Sequence, residues 1–199
     1  MNTLIQSLLL LAGATFATSA CGAAQPYPQT SDPLEIARLY PLRMGSVWTY
    51  DVDTGEGVPT LAITRVTGSD GNRAEVSSGS TPIVYETRPD GLFRPDREAY
   101  VLKAPIRQGA TWDAGAGSQA EVLSVDKQVS TPAGDFTHCV EVRESGGGAG
   151  KLVRTVFCPD IGPVEVESSM AMQLSGQTAR VLAKLRGYDF SGILTQPAP

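Results

Sequence analysis

From residue 46 onward the side chains alternate with a period of two, and this alternation constrains the fold more than any other sequence feature. Trp48, Tyr50 and Val52 share one face of a predicted strand. Turn-forming pairs such as Asp70-Gly71 separate successive runs, and the 199 residues include 21 Gly and 14 Pro. Successive side chains of a strand point to opposite faces, so the pattern predicts short antiparallel strands joined by tight turns.

The alternation predicts twelve strands, at residues 46–53, 59–67, 73–78, 82–88, 91–95, 98–104, 118–130, 135–144, 151–158, 163–169, 170–175 and 178–188. The last segment is ambiguous, because its Ala, Leu, Arg and Lys content also suits a helix. Its apolar and polar residues follow a period of two more regularly than they follow the spacing of a helix, which favours a strand. The chain is therefore predicted to be mainly β.

A single short helix is predicted before the first strand. Asp32, Pro33 and Glu35 form a helix-start pattern, with a capping carboxylate, proline at the first helical position and Glu three residues after the cap. Pro41 limits the helix to about two turns, which gives a prediction of residues 33–39.

The first twenty residues read as a secretion signal: a short apolar core followed by small residues. The junction Thr18-Ser19-Ala20-Cys21-Gly22 resembles a bacterial lipobox, which implies removal of residues 1–20 and a lipid on Cys21. It departs from the lipobox pattern in having Thr18 where Leu is preferred, and no Lys or Arg precedes it. Plain secretion after Ala20 or Ala24, and an uncleaved anchor, remain alternatives.

The segments on either side of the predicted domain are expected to lack regular structure. Residues 21–33 are polar and contain proline, as in an extended tether, and residues 191–199 are predicted to be a disordered tail. The predicted β-rich domain is residues 34–190. Gly22 after the lipidated cysteine predicts a lipid-anchored protein of the outer membrane, facing the periplasm, or a secreted protein if Cys21 is not lipidated.

Three cysteines are present, and acylation of Cys21 would leave Cys139 and Cys158 to pair in the oxidising envelope. Register supports that pairing. Suppose that residues 136–144 and 152–158 form a hairpin in which the two cysteines lie opposite each other. One face of the hairpin is then mostly apolar, with Val140 opposite Phe157, Val142 opposite Thr155 and Glu144 opposite Val153. The sequence therefore predicts a cross-strand disulfide on the outer face, contributing about 3 kcal/mol. A redox-active pair would normally show C-x-x-C spacing, which is missing.

A search for catalytic chemistry nominates no catalytic, cofactor-binding or metal-binding residue. The single histidine, His138, lies within the predicted hairpin, and no G-x-S-x-G elbow or phosphate-binding loop accompanies it. Residues 51–56 resemble the start of a calcium loop but lack its later Glu and its flanking helices. With a net charge of -5 the chain would repel a polyanion, so no nucleic-acid partner is expected.

One eight-residue pattern occurs twice. Residues 41–48 and 105–112 both read Pro, aliphatic, Arg, then Gly and Trp at fixed spacing. Two such corners could mark two halves of one sheet, or the same turn could simply have been used twice. Trp48 and Trp112 are expected to be core residues.

Three segments carry a family resemblance: Tyr40 to Tyr50 (Y-P-L-x-x-G-x-x-W-x-Y), Thr131 to Cys139 (T-P-A-G-x-F-x-x-C) and Phe157 to Val164. Together they resemble a family of bacterial envelope lipoproteins, although Thr131, Asp135 and Cys158 replace the usual Val, Thr and Ala. The resemblance implies no activity. It implies a single domain of curved antiparallel sheet, a half-barrel or open barrel similar to lipoprotein carriers, with one short N-terminal helix.

These observations predict a non-enzymatic envelope lipoprotein whose curved sheet binds a lipid, another hydrophobic ligand or an envelope protein. The membrane would be reached through the lipid anchor. Two alternatives stay open: a structural or accessory lipoprotein without a small ligand, and a hydrolase whose site the sequence does not disclose.

Overall fold

The computed structural model describes residues 33–147, 150–171 and 178–191. The predicted signal peptide, Cys21, nearly all of the tether, the Asp32 cap and all but the first residue of the tail lie outside the described residues. Within them, no helix is long and apolar enough to cross a membrane.

Helix α1 spans Pro33–Leu39, as predicted. The strands are β1 Val47–Asp53, β2 Thr60–Asp70, β3 Arg73–Ser77, β4 Pro82–Arg88, β5 Gly91–Arg94, β6 Ala99–Lys103, β7 Thr111–Gly115, β8 Ser118–Thr131, β9 Gly134–Gly146, β10 Leu152–Cys158, β11 Gly162–Ala171 and β12 Thr178–Asp189. A 3-10 turn at Pro95–Arg97 joins β5 to β6.

Segment 178–188 is a strand, as the alternation favoured. Two differences from the predicted strands matter. The predicted strands at 163–169 and 170–175 are wrong as separate elements, because β11 runs without a break to Ala171, and residues 172–175 lie outside the described residues. Strand β7 was not among the predicted strands: only five residues long and bounded by Gly109 and Gly117, it offers too short an alternation to recognise.

All twelve strands form one antiparallel sheet in the order β6-β5-β4-β3-β2-β1-β12-β11-β10-β9-β8-β7. It consists of two six-strand meanders, β1–β6 and β7–β12, joined through the pairing of β1 with β12. The end strands β6 and β7 lie side by side, and the indole Nε1 of Trp112 donates a hydrogen bond of 3.0 Å to the Tyr100 carbonyl. The sheet is therefore a nearly closed barrel, which confirms the predicted fold class.

The two copies of the repeated pattern form the same corner. In the first, Gly45 N donates to Val66 O, Ser46 N to Arg43 O, and Val66 N to Ser46 O. In the second, the corresponding bonds are Gly109 N to Val122 O, Ala110 N to Arg107 O, and Val122 N to Ala110 O. Each corner leads into the first strand of one meander, so the repeat marks two halves of one sheet. Both tryptophans are buried, as expected.

Helix α1 closes one end of the barrel. It contacts β5 from the first meander and β10 and β11 from the second, so it bridges both halves. Ile36 and Leu39 are buried, and Tyr40 stacks edge-on against Trp48 with ring centroids 5.5 Å apart. On the surface, Arg38 forms an ion pair with Asp160 in the β10–β11 turn. The barrel thus has a closed end at α1 and an open end opposite.

Cys139 and Cys158 form a disulfide between β9 and β10. The predicted register is confirmed, with Val140 opposite Phe157, Val142 opposite Thr155 and Glu144 opposite Val153. The two cysteines lie on the face of the sheet opposite Val140 and Phe157, as predicted. They are nevertheless buried, since Cys139 is 0% and Cys158 2% exposed.

The cysteines are buried because the β8–β9 hairpin extends beyond the sheet and folds back. Three irregularities in the β8–β9 pairing bend it, and at its tip Ala133 N donates a 3.0 Å hydrogen bond to the carbonyl of Leu185 in β12. Val129, Ala133 and Phe136 pack against the hydrophobic cluster that contains both cysteines. This long-range contact could not be predicted from the register of β9 and β10 alone.

The seam between the two ends of the sheet requires glycine at position 115. Gly115 has a φ of +79°, and an added Cβ would lie 2.6 Å from Arg97 O and 2.9 Å from the Ala99 Cβ. Gly117, with a φ of +76°, has nothing within 4 Å of such an atom.

We therefore expect Gly115→Ala to lower the free energy of unfolding by about 1–3 kcal/mol more than Gly117→Ala, since both variants carry the backbone strain and only the first carries the clash. Urea unfolding monitored by tryptophan fluorescence measures the difference; equal losses in the two variants would show that the seam is not tightly packed.

Candidate ligand-binding cavity

The inner face of the barrel encloses a cavity of about 510 Å³. Its walls come from both meanders, with Val76 and Ile83 on one side and Val153 and Val166 on the other, and Tyr40 from the closed end. This volume lies within the usual range of ligand pockets, roughly 300–1,000 Å³. The barrel interior is therefore a candidate binding site.

Two other clefts of similar volume, about 530 and 550 Å³, are weaker candidates. The first lies beside the β1–β2 turn and the start of β12. Its lining residues at Asp53–Glu56 and Thr178–Val181 are all exposed, and Leu182 alone of the lining is half-buried. The second follows the outside of α1. Of these three clefts, which are formed by described residues, the barrel cavity is the one with an aromatic floor inside the sheet and charged groups at its open end.

Three tyrosines form the floor of the cavity near the closed end. Tyr40 lies edge-on to Tyr85, with ring centroids 5.6 Å apart, and Phe157 lies 6.2 Å from Tyr40. The hydroxyl of Tyr50 donates a 2.8 Å hydrogen bond to the Pro163 carbonyl. The rings thus present mainly apolar surface to the cavity while the Tyr50 hydroxyl is satisfied.

Burial raises the pKa of all three phenols. For Tyr85 the positive charge of Arg94 partly offsets this effect. At neutral pH the three side chains are therefore uncharged. They can donate and accept hydrogen bonds but are poorly suited to act as general bases.

The open end of the cavity carries charged side chains. Arg94 and Arg97 come from the β5–β6 connection and Lys151 from the end of the β9–β10 turn. Glu144 projects from the inner face of β9 and lies 3.6 Å from Arg97. We refer to Arg94, Arg97 and Lys151 as the cationic mouth.

The inner face of β2 is built from small side chains. Ala62 and Thr64 point inward, opposite Tyr50 and Trp48 of β1, whereas Leu61 and Ile63 point outward and are 59% and 49% exposed. The large aromatic rings of β1 leave room only for small neighbours. This arrangement keeps space free in the barrel at the cost of exposing two aliphatic residues.

The site residues predicted from the sequence do not line this cavity. The disulfide does not line it, and Cys21 is outside the described residues. The exposed His138 ring accepts or donates a 2.8 Å hydrogen bond with Asp126. Asp51 pairs with Arg186, and Asp53 accepts from the Gly55 amide. Within the described ranges, no three His, Cys, Asp or Glu side chains come together as a metal site would require.

The sequence analysis placed Val153, Thr155 and Phe157 on one mostly apolar face but did not identify that face as the wall of a cavity. A weak signal exists: Thr64, Thr155 and Ser168 fall on the same strand faces as large apolar residues, so the inner face is interrupted by small polar side chains. Such interruptions are typical of a face that borders a ligand space as well as a packed core. Arg94 and Lys151 lie in or next to turns, where charged residues are common and carry little signal.

No protein-family model matches the chain, and no curated protein matches it. A crystal structure from Bacteroides fragilis, provisionally described as an exported protein with a YmcC-like fold, has a TM-score of 0.50 and 15% sequence identity, covering 76% of this chain and 98% of that one. Another, from Parabacteroides distasonis and provisionally described as a lipoprotein, has a TM-score of 0.45 and 12% identity over the same shares. The first likeness shows that this chain is similar in fold to that exported protein.

The buried phenols predict loss of stability in alkali. An ordinary tyrosine ionises near pH 10, so stabilisation by phenols whose pKa is raised in the folded state is complete below that pH and is lost as the pH rises above it. We expect the free energy of unfolding to fall between pH 10 and 11.5, and Tyr50→Phe to make that fall shallower by at most about 1.4 kcal/mol per pH unit. Urea unfolding at a series of pH values measures the slope. Tyr188→Phe, at an exposed position, serves as control; equal slopes in both variants would contradict the assignment.

Proposed function

We propose that this protein is a non-enzymatic, lipid-anchored lipoprotein of the bacterial envelope whose barrel interior binds a hydrophobic molecule. The observation that carries the proposal is the 510 Å³ cavity with an aromatic floor and a polar open end. Burial of apolar ligand surface there would contribute roughly 0.8 kcal/mol per methylene group. The side chains around the cavity offer a binding surface, and the described residues lining it contain one carboxylate, Glu144, without a second to act as its partner in acid–base catalysis.

The lipobox-like junction supports the envelope location. A disulfide between Cys139 and Cys158 agrees with an oxidising compartment. The Bacteroides structure of similar fold is itself described as exported. Outer-membrane attachment through Cys21, with the barrel facing the periplasm, is part of the proposal.

Filling the cavity should abolish ligand binding. We expect Ser168→Trp, at a half-buried position of the cavity wall, to weaken binding of the apolar fluorescent probe N-phenyl-1-naphthylamine at least tenfold, because the indole occupies the space of the ligand. Ile63→Trp adds the same group to the outer face and should leave the affinity unchanged. Probe titration measures both, with circular dichroism to verify folding. Failure of the wild type to bind the probe, together with native mass spectra free of co-purified lipid, would favour a structural lipoprotein instead.

The anchor is tested at the mature N-terminus. Mass spectrometry of the protein from the membrane fraction should find an acylated peptide beginning at Cys21, and Cys21→Ser should release the protein from that fraction. An unmodified N-terminus at Cys21 or later would show plain secretion instead.

A further inference from the structure

The charges at the open end of the cavity do not balance. Of the described residues that line the cavity, three are cationic, Arg94, Arg97 and Lys151, and Glu144 is the one carboxylate. The chain as a whole has 16 Lys and Arg against 21 Asp and Glu, so a local excess of positive charge runs against its composition.

The outer face of the same sheet is arranged differently. There, cations pair with carboxylates on neighbouring strands: Arg186 with Asp51, Lys184 with Glu165, Arg180 with Glu167, Lys127 with Glu141 and Arg143 with Glu121. Such pairs keep an exposed sheet face soluble and in register. At the mouth, Arg94 pairs with Asp96, and Arg97 lies 3.6 Å from Glu144. Among the described residues Lys151 has no carboxylate within ion-pair distance, so one positive charge is left over for a ligand.

Arg94 is held in place by two contacts. Its guanidinium binds Asp96 through two hydrogen bonds, of 3.0 and 2.5 Å, and lies 5.9 Å from the centroid of the Tyr85 ring. The side chain is only 17% exposed. This fixes a cation at the boundary between the aromatic floor and the polar mouth.

Arg97 is held more loosely. Its closest contact to Glu144 is 3.6 Å, longer than a hydrogen bond. An incoming anion could therefore bind Arg97 with little loss of existing interaction. Glu144, on the cavity wall, would oppose the same anion by like-charge repulsion.

We propose that the cationic mouth recognises the anionic head of an amphiphile, a carboxylate or phosphate, while its hydrocarbon tail lies on the floor formed by Tyr40, Tyr50, Tyr85 and Phe157. This inference rests on the proposed function and names its ligand class. Arg97 and Lys151 contact the head directly, and Arg94, held by Asp96, forms the wall behind them. Arginine suits this role because its planar guanidinium matches the oxygens of both head groups.

The test compares ligands that share one tail. Dodecanoate, dodecyl phosphate and uncharged dodecanol are titrated at pH 8 against protein loaded with N-phenyl-1-naphthylamine, and displacement gives each affinity. We expect both anions to bind at least tenfold more tightly than dodecanol. The ratio of the affinities for dodecanoate and dodecyl phosphate shows whether the site prefers a carboxylate or a phosphate head. Inorganic phosphate alone should not displace the probe, because it lacks the tail.

Two variants shift anion affinity in opposite directions. Arg97→Gln combined with Lys151→Gln should weaken binding of both anions at least tenfold and that of dodecanol less than threefold. Glu144→Gln should tighten anion binding about threefold, because it removes the opposing charge. Arg154→Gln removes a cation from the outer face of β10 and should change nothing.

The two levels of the proposal fail separately. If none of the three ligands displaces the probe, the cavity is not a binding site and the proposed function falls with it. If all three ligands bind with equal affinity, and neither variant changes the affinity for the anions relative to dodecanol, the cavity binds apolar molecules irrespective of their charge. The head-group inference is then overturned, while the proposed function stands.

Discussion

The indole of Trp48 fixes the closed end of the barrel, and the rest of the structure depends on it. Its Nε1 donates a 2.7 Å hydrogen bond to Ile161 O in the β10–β11 turn, while Tyr40 packs against its ring from the end of α1. Gly162 lets the turn come this close, since an added Cβ would lie 3.2 Å from Nε1. A single side chain of β1 thereby ties the first meander, the second meander and the helix together. With this end fixed, the opposite end can remain open.

Closure of the sheet combines backbone pairing with side-chain contact. Strands β1 and β12 join the two meanders by a regular antiparallel ladder, whereas β6 and β7 meet through Trp112 and the bare backbone of Gly115. The repeated corner explains why each meander begins alike: glycine at a positive φ turns the chain, and tryptophan then enters the core. The two halves of the barrel face each other across a shared interior. The cavity lies in that space.

The cavity differs from the core in its chemistry. Near α1 the side chains are aromatic and tightly packed, while toward the open end Thr155 and Ser168 and the charged groups replace them. Charged side chains at a barrel mouth can remain hydrated, so they avoid the large cost of burying an unpaired charge. Under the proposed function, their electrostatic interaction with a ligand would favour an anionic head group over an uncharged one. The change from an apolar floor to the cationic mouth corresponds to the two parts of an amphiphile, its hydrocarbon tail and its charged head.

Local pattern was sufficient to predict most of the strands, helix α1 and the Cys139–Cys158 register, because alternation, capping and turn length act over a few residues. It missed the five-residue strand β7, whose alternation is too short to recognise. It was not sufficient to predict which face of a strand turns inward. In β2 the more apolar pair, Leu61 and Ile63, faces solvent, since Ala62 and Thr64 alone fit beside Tyr50 and Trp48. Burial of the disulfide likewise follows from a hairpin tip that reaches Leu185, far away in sequence. The cavity and its charges arise only when both meanders curve around one space, and tertiary packing decides that curvature.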